Sequence, residues 1–143
     1  MTKPTKTQKS YDLELEEVEG DRLSRKVRKV TAHNAPTQSI DELAERGKHI
    51  ADKVTYLDED LRVVETDDAN EVVILRSDEP QHDDTTVEYY ECQVKSDGTT
   101  ELERIRYHKD STTKENADFV VTEKTLERLG RDLHTPAKEQ PKP

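Results

Sequence analysis

"VEYYECQVKSDGTTELERIRYH", residues 87–108, is the stretch whose reading decides the fold. Two runs rich in β-branched and aromatic residues flank Asp97-Gly98. That dipeptide is among the strongest short signals for a hairpin, because glycine supplies the positive φ that a tight turn needs. A two-residue loop sets Tyr90 opposite Ile105, Glu91 opposite Arg104 and Tyr89 opposite Arg106. Each is a favourable cross-strand pair, worth about 0.2–1 kcal/mol. The same register opposes Cys92 to Glu103, a less comfortable pair, and His108 to Val87. A bulge after Gly98 would shift every pair by one position.

Upstream, "LRVVETDDANEVVILRS", residues 61–77, has the same form. Asp67-Asp68-Ala69-Asn70 are turn residues between two β-branched runs, so a second antiparallel hairpin is expected. Residues 72–75, "VVIL", are apolar on consecutive positions, which marks an interior strand whose two faces both want cover. Residues 77–86 form a polar loop with Pro80, and residues 109–116 another. Downstream, "ADFVV", 117–121, reads as a further short strand. Thr122 then caps a helix that aligns Leu126, Leu129 and Leu133. That helix carries Gly130, is about three turns long and needs packing to persist.

The clearest element is "SIDELAERGKHIADKV", residues 39–54. Ile40, Leu43, Ala44, Gly47, Ile50, Ala51 and Val54 fall on one helical face. Ser39 and Glu42 form a capping box, and Glu42 precedes Arg46 by four positions in the favourable order. Gly47 costs up to about 1 kcal/mol relative to Ala in mid-helix. Its place on the apolar face predicts a close approach to a sheet.

Residues 11–30 admit two readings. Tyr11, Leu13 and Leu15 alternate as in a strand. Leu23, Val27 and Val30 fit a helix face, whereas a strand takes Leu23 and Val27 but leaves Val30 out of phase. Glu19-Gly20-Asp21 resembles a hairpin turn, so strand, turn, second strand is preferred to strand plus helix.

Together these elements predict a single α+β domain over residues 11–133, a mainly antiparallel sheet of about five to six strands with two helices on one face. Only 28 of 143 residues are Leu, Ile, Val or Phe, and none lies in 1–10 or 134–143. Those two ends, rich in Lys, Thr and Pro, are expected to be disordered tails, since neither can bury enough surface to offset ordering entropy. No apolar run follows the early lysines, and no stretch approaches the roughly 20 apolar residues of a membrane span. With a single Cys92 there is no internal disulfide, and a reducing, cytoplasmic setting without membrane contact is the simplest expectation.

Chemistry-bearing motifs are sparse. The four glycines lie far apart, which speaks against phosphate loops, dinucleotide fingerprints and serine elbows. The five histidines are scattered, and His82-Asp83-Asp84 reads as a solvated acidic loop rather than a metal site. Cys92 reads as a small core residue, not a nucleophile. No catalytic, cofactor-binding or metal-ligating residue is assigned, and no cofactor is expected.

The chain's net charge is -10, yet "RLSRKVRKV", residues 22–30, holds five basic side chains and no acid. Arg22, Arg25, Lys26, Arg28 and Lys29 are therefore the candidate partner contacts. In a strand they fall on both faces or along an edge, where they would block stray pairing and meet the acidic remainder of the body. No aromatic residue interleaves them, and the global charge disfavours nucleic acid. The leading functional expectation is a non-enzymatic protein–protein interaction or assembly component. It would present a sheet face or edge, with the basic strip, to an acidic partner or to another copy. A regulatory module that binds nucleic acid through 22–30 is the alternative, and a small enzyme with an unrecognised site the third.

Overall fold

The computed structural model describes residues 5–20 and 23–134. Its centre is the predicted hairpin, β7 (Thr86–Lys95) and β8 (Thr99–His108). The register is the shifted one: Tyr89 opposes Ile105, Glu91 opposes Glu103 and Cys92 opposes Leu102. His108 opposes Thr86. The two-residue loop is thus corrected, and the reason lies at Gly98. Its φ is +98°, its N–H donates to the Lys95 carbonyl at 3.1 Å, and it enters the turn as an extra residue. The one-residue slip places Cys92 beside Leu102 under the helices and sends Tyr89 and Ile105 to the opposite face.

The second hairpin, β4 (Leu61–Asp67) and β5 (Val72–Ser77), extends this pair, and β5 hydrogen-bonds to β7. On the other side, β3 (Ser24–His33) pairs with β8, β2 (Leu13–Gly20) with β3, and β1 (Lys6–Ser10) with β2. Three short strands lie off this path: β6 (Gln81–His82) on β7, β9 (Thr113–Ala117) on β8, and β10 (Phe119–Thr122) on β3. The sheet therefore has ten strands rather than five or six, all antiparallel.

Its shape follows from the registers. β3 and β8 pair only at Lys29–His33 and Thr99–Glu103. Beyond that seam, Ser24–Val27 of β3 pairs with β10, and Arg104–His108 of β8 pairs with β9. The chain runs in along β8, reverses at Asp118 and runs out along β3, so the sheet forks into two arms with this segment wedged between them. The Arg28 Nε–Asp118 Oδ1 ion pair, 3.1 Å, pins the point of the wedge.

Residues 13–20 and 24–30 form strands, as preferred, and Val30 is brought into phase by a bulge. The register jumps from Glu16↔Lys29 to Glu17↔Val27, so Val27 and Val30 are both fully buried on one face. The helix-like spacing was the signature of that extra residue. Residues 6–10, expected as part of a tail, instead form β1, an edge strand turned back by Tyr11 and Asp12 at φ 56° and 61°. Residues 1–4 and 135–143 lie outside the described residues.

Two helices cover one face of the sheet. Helix α1 (Ile40–Lys53) lies across β4, β5 and β7. Ser39 Oγ accepts from Glu42 N at 3.2 Å, while Glu42 accepts from the Thr37 hydroxyl, which in turn accepts from Ser39 N. Gly47 meets the sheet as expected: an added Cβ would stand 2.9 Å from Val73 Cγ1. Helix α2 (Glu123–Asp132) follows β10 directly, with Thr122 as its cap, and buries Leu126, Leu129 and Leu133. Gly130 is explained here as well, since the β1–β2 turn comes so close that an added Cβ would lie 2.3 Å from the Tyr11 carbonyl oxygen. One apolar cluster joins both helices to the sheet, with Phe119 edge-on to Tyr90 at 5.5 Å. Among the described residues no helix is long and apolar enough to cross a membrane.

Candidate functional site: a cationic depression on the open face of the sheet

The described basic residues of the strip, Arg25, Lys26, Arg28 and Lys29, lie on β3, an interior strand bonded to β2, β8 and β10, not on an edge. Its charges are matched from within. Arg25 donates to Ser10 Oγ at 2.7 Å and to Glu123 Oε1 at 2.9 Å. Lys26 pairs with Glu19 at 3.1 Å and Arg28 with Asp118 at 3.1 Å. Lys29 stands among Glu101 at 3.2 Å, Glu103 at 3.4 Å and Glu16 at 3.9 Å. Burial alone would lower the Lys29 pKa, but those carboxylates outweigh it and raise it. Glu101 is held below its ordinary value, desolvation being outweighed by donation from Lys95 at 2.6 Å and by Lys29. Arg22 lies outside the described residues. The four described members are thus the counter-charges of neighbouring strands and of α2.

The face of the sheet that the helices do not cover is different. Strand β5 ends at Ser77, and the chain then leaves the sheet through Asp78 and Pro80 before it rejoins at β6. The departure opens a shallow depression of about 500 Å³, floored by Val87, Tyr89 and Tyr107. A bulge at Val63–Glu65 in β4 lets Val63 pack against the core while Val64, 38% exposed, lines the depression. Arg62 of β4 and Arg76 of β5 stand on one side, and Lys114 of β9 on the other. Lys114 is the cross-strand neighbour of Tyr107.

The electrostatics set this place apart. Three cations, Arg62, Arg76 and Lys114, face one lining carboxylate, Asp78. Three other depressions on the surface each carry more carboxylates than Lys or Arg side chains. Arg76 donates to Glu91 at 2.9 Å, with its guanidinium 6.0 Å from the centre of the Tyr89 ring. Arg62 pairs with Asp78 at 3.1 Å, but both partners are more than half exposed, so the pair contributes little. Lys114 has no ion pair among the described residues.

Beneath the same arm, the inner face carries a buried charge network. Arg104, below 10% exposed, donates to Glu59 at 3.2 Å and to Glu88 at 2.9 Å, and lies 4.6 Å from the centre of the Tyr90 ring. Desolvation would raise the Glu88 pKa, but donation from Arg104 and Arg106 holds it below the ordinary value. This network fixes the part of β8 whose other face presents Tyr107. Cys92 sits wholly in the core, where burial pushes its pKa up to about 12, so the thiol stays neutral and shielded. Among the described residues no three His, Cys, Asp or Glu side chains converge as metal ligands would.

Sequence reading found neither the depression nor Arg62, Arg76 and Lys114. They come from three strands, and only the register brings them to one face. No protein-family model, curated protein or solved structure matches the chain.

Proposed function

We propose that the protein is a non-enzymatic interaction component that holds a protein partner on the open face of its sheet, at the depression between β4 and β9. The observation that carries this reading is the local surplus of cations around two tyrosines on a chain of net charge -10. Tyrosine and arginine are the residues that dominate binding energy at protein interfaces, because they combine large contact area with directed polar groups. A cationic site on an acidic body also selects its partner by field, attracting it at one place and repelling it elsewhere. The floor is rigid, since it is built from consecutive strands rather than loops, so little ordering entropy opposes docking.

The depression is preferred to residues 22–30 because the described charges of that strip, Arg25, Lys26, Arg28 and Lys29, are already paired within the fold. The test is comparative affinity capture from native lysate with the wild type and with a Tyr107→Ala/Lys114→Glu variant shown to be folded by circular dichroism. A protein retained by the wild type and lost by the variant supports the reading. Retention that is equal for both overturns it.

A further inference from the structure

Resting on the reading above, we infer that the depression takes a short, extended acidic peptide segment with one aliphatic or aromatic anchor. The floor calls for the anchor. Val64, Val87 and the two tyrosines make an apolar bed, and burying one side chain of leucine or phenylalanine size on it stabilises the complex without any charge. The walls call for the carboxylates. Arg62 and Arg76 on one side and Lys114 on the other flank the bed, so acids placed before and after the anchor each meet a cation.

The cations are available to a different degree. Lys114 has no ion pair to give up among the described residues, and Arg62 gives up only an exposed one. Arg76 is held more firmly, between Glu91 and the Tyr89 ring, and serves as the fixed side of the site. The same geometry limits the ligand. Asp78 lines the depression, Glu91 holds Arg76 at its edge, and the whole chain is acidic. A long polyanion such as nucleic acid would gain three cations and then meet the acidic remainder of the body, whereas a short acidic segment fits within the positive area.

The probe is a short fluorescein-labelled peptide that alternates aspartate with leucine and phenylalanine, read by anisotropy. Two controls replace every aspartate by lysine, or every apolar residue by glycine. The acidic apolar peptide is expected to bind, to weaken as salt rises, and to bind at least about tenfold more tightly than either control. Lys114→Glu and Arg62→Glu, both surface changes that leave the core intact, each weaken it by about tenfold or more. Equal binding of the lysine peptide, or binding unmoved by both reversals, overturns the inference. If no peptide binds but cellular capture still depends on Tyr107 and Lys114, the acidic occupant is wrong and the interaction surface stands. If sedimentation shows a dimer that Lys114→Glu dissolves, the occupant is a second copy and the inference falls.

Discussion

Gly98→Ala tests the turn on which the sheet depends. At φ +98° an alanine is strained by about 1–3 kcal/mol. Its Cβ would also stand 2.1 Å from the Asn34 carbonyl oxygen and 3.0 Å from Asn34 C. That overlap exceeds 1 Å against an ordinary C···O contact of about 3.3 Å, so the 34–35 backbone must move. This backbone is clamped. Asn34 N donates to Gly98 O at 2.7 Å, Thr37 N to Ser96 O at 2.9 Å, and Asn34 Nδ2 to Leu133 O at 3.2 Å. Loss of one or two of these bonds adds about 1–2 kcal/mol. The total, about 2–5 kcal/mol, is a large part of the stability of a domain this size. Urea unfolding followed by far-ultraviolet circular dichroism should show a midpoint about 1–2.5 M lower, for a slope of about 2 kcal/mol/M. Sulfate can secure a folded baseline if one is lacking. The discriminating control is Gly98→Asn. Asparagine relieves part of the φ strain but carries the same Cβ, so it should keep the loss from the displaced 34–35 backbone, about 1–2 kcal/mol. An alanine variant within about 1 kcal/mol of wild type, or an asparagine variant as stable as wild type, would refute the steric account.

Two further perturbations test the electrostatics. Arg104→Met leaves Glu59 buried without its cation and should cost about 3–5 kcal/mol in urea unfolding. Adding Glu59→Gln should restore at least half of that loss, and a double variant no more stable than the single one would show that the pair is not the cause. Asp132 titrates below its ordinary value, first because Arg131 donates to it at 2.8 and 2.9 Å, with Tyr56 OH adding a bond at 3.0 Å against the effect of burial. A depressed carboxyl stabilises the fold above its unfolded pKa and loses that contribution as pH falls through the folded one. The stability gap between wild type and Asp132→Asn should therefore shrink below about pH 4. A gap that stays constant from pH 7 to pH 2.5 is the contrary result.

Elements that bury an apolar face were legible in the sequence, and elements that exist only to complete hydrogen bonding were not. Helix α1 was visible because Leu43, Gly47 and Ile50 repeat at helical spacing and are all buried. Strands β5, β7 and β8 were visible through their β-branched and aromatic runs. In β9, by contrast, Thr113, Lys114, Glu115 and Asn116 are all exposed, so the strand pairs with β8 without an apolar signature. Strand β1 is equally polar, and its register against β2 is set by the Tyr11-Asp12 turn rather than by burial. The two registers that misled share one cause. Extra residues, at Gly98 in one hairpin and at the Glu16/Glu17 and Glu17/Glu19 register shifts in the other, change which face the neighbouring side chains take, and composition does not record them. The candidate site suffered most from this, because Arg62, Arg76, Tyr89 and Lys114 meet only once four strands are in register.

The basic strip explains how an acidic body keeps so polar a sheet together. Its partners come from different elements: Glu16 and Glu19 from β2, Glu101 and Glu103 from β8, Asp118 from the point of the wedge, Glu123 from the first turn of α2. The strip therefore acts as a seam, placing positive charge where the two arms of the sheet meet and where the carboxylates of four neighbours would otherwise repel. Each contact is part-exposed and contributes modestly, but removing the strip leaves those acids facing one another, which is the larger effect. A charge change at Arg28 or Lys29 is accordingly a change to the fold first and to any partner second. A change at Lys114, which carries no such duty, should leave the fold intact, so that any loss of capture reports on the proposed contact.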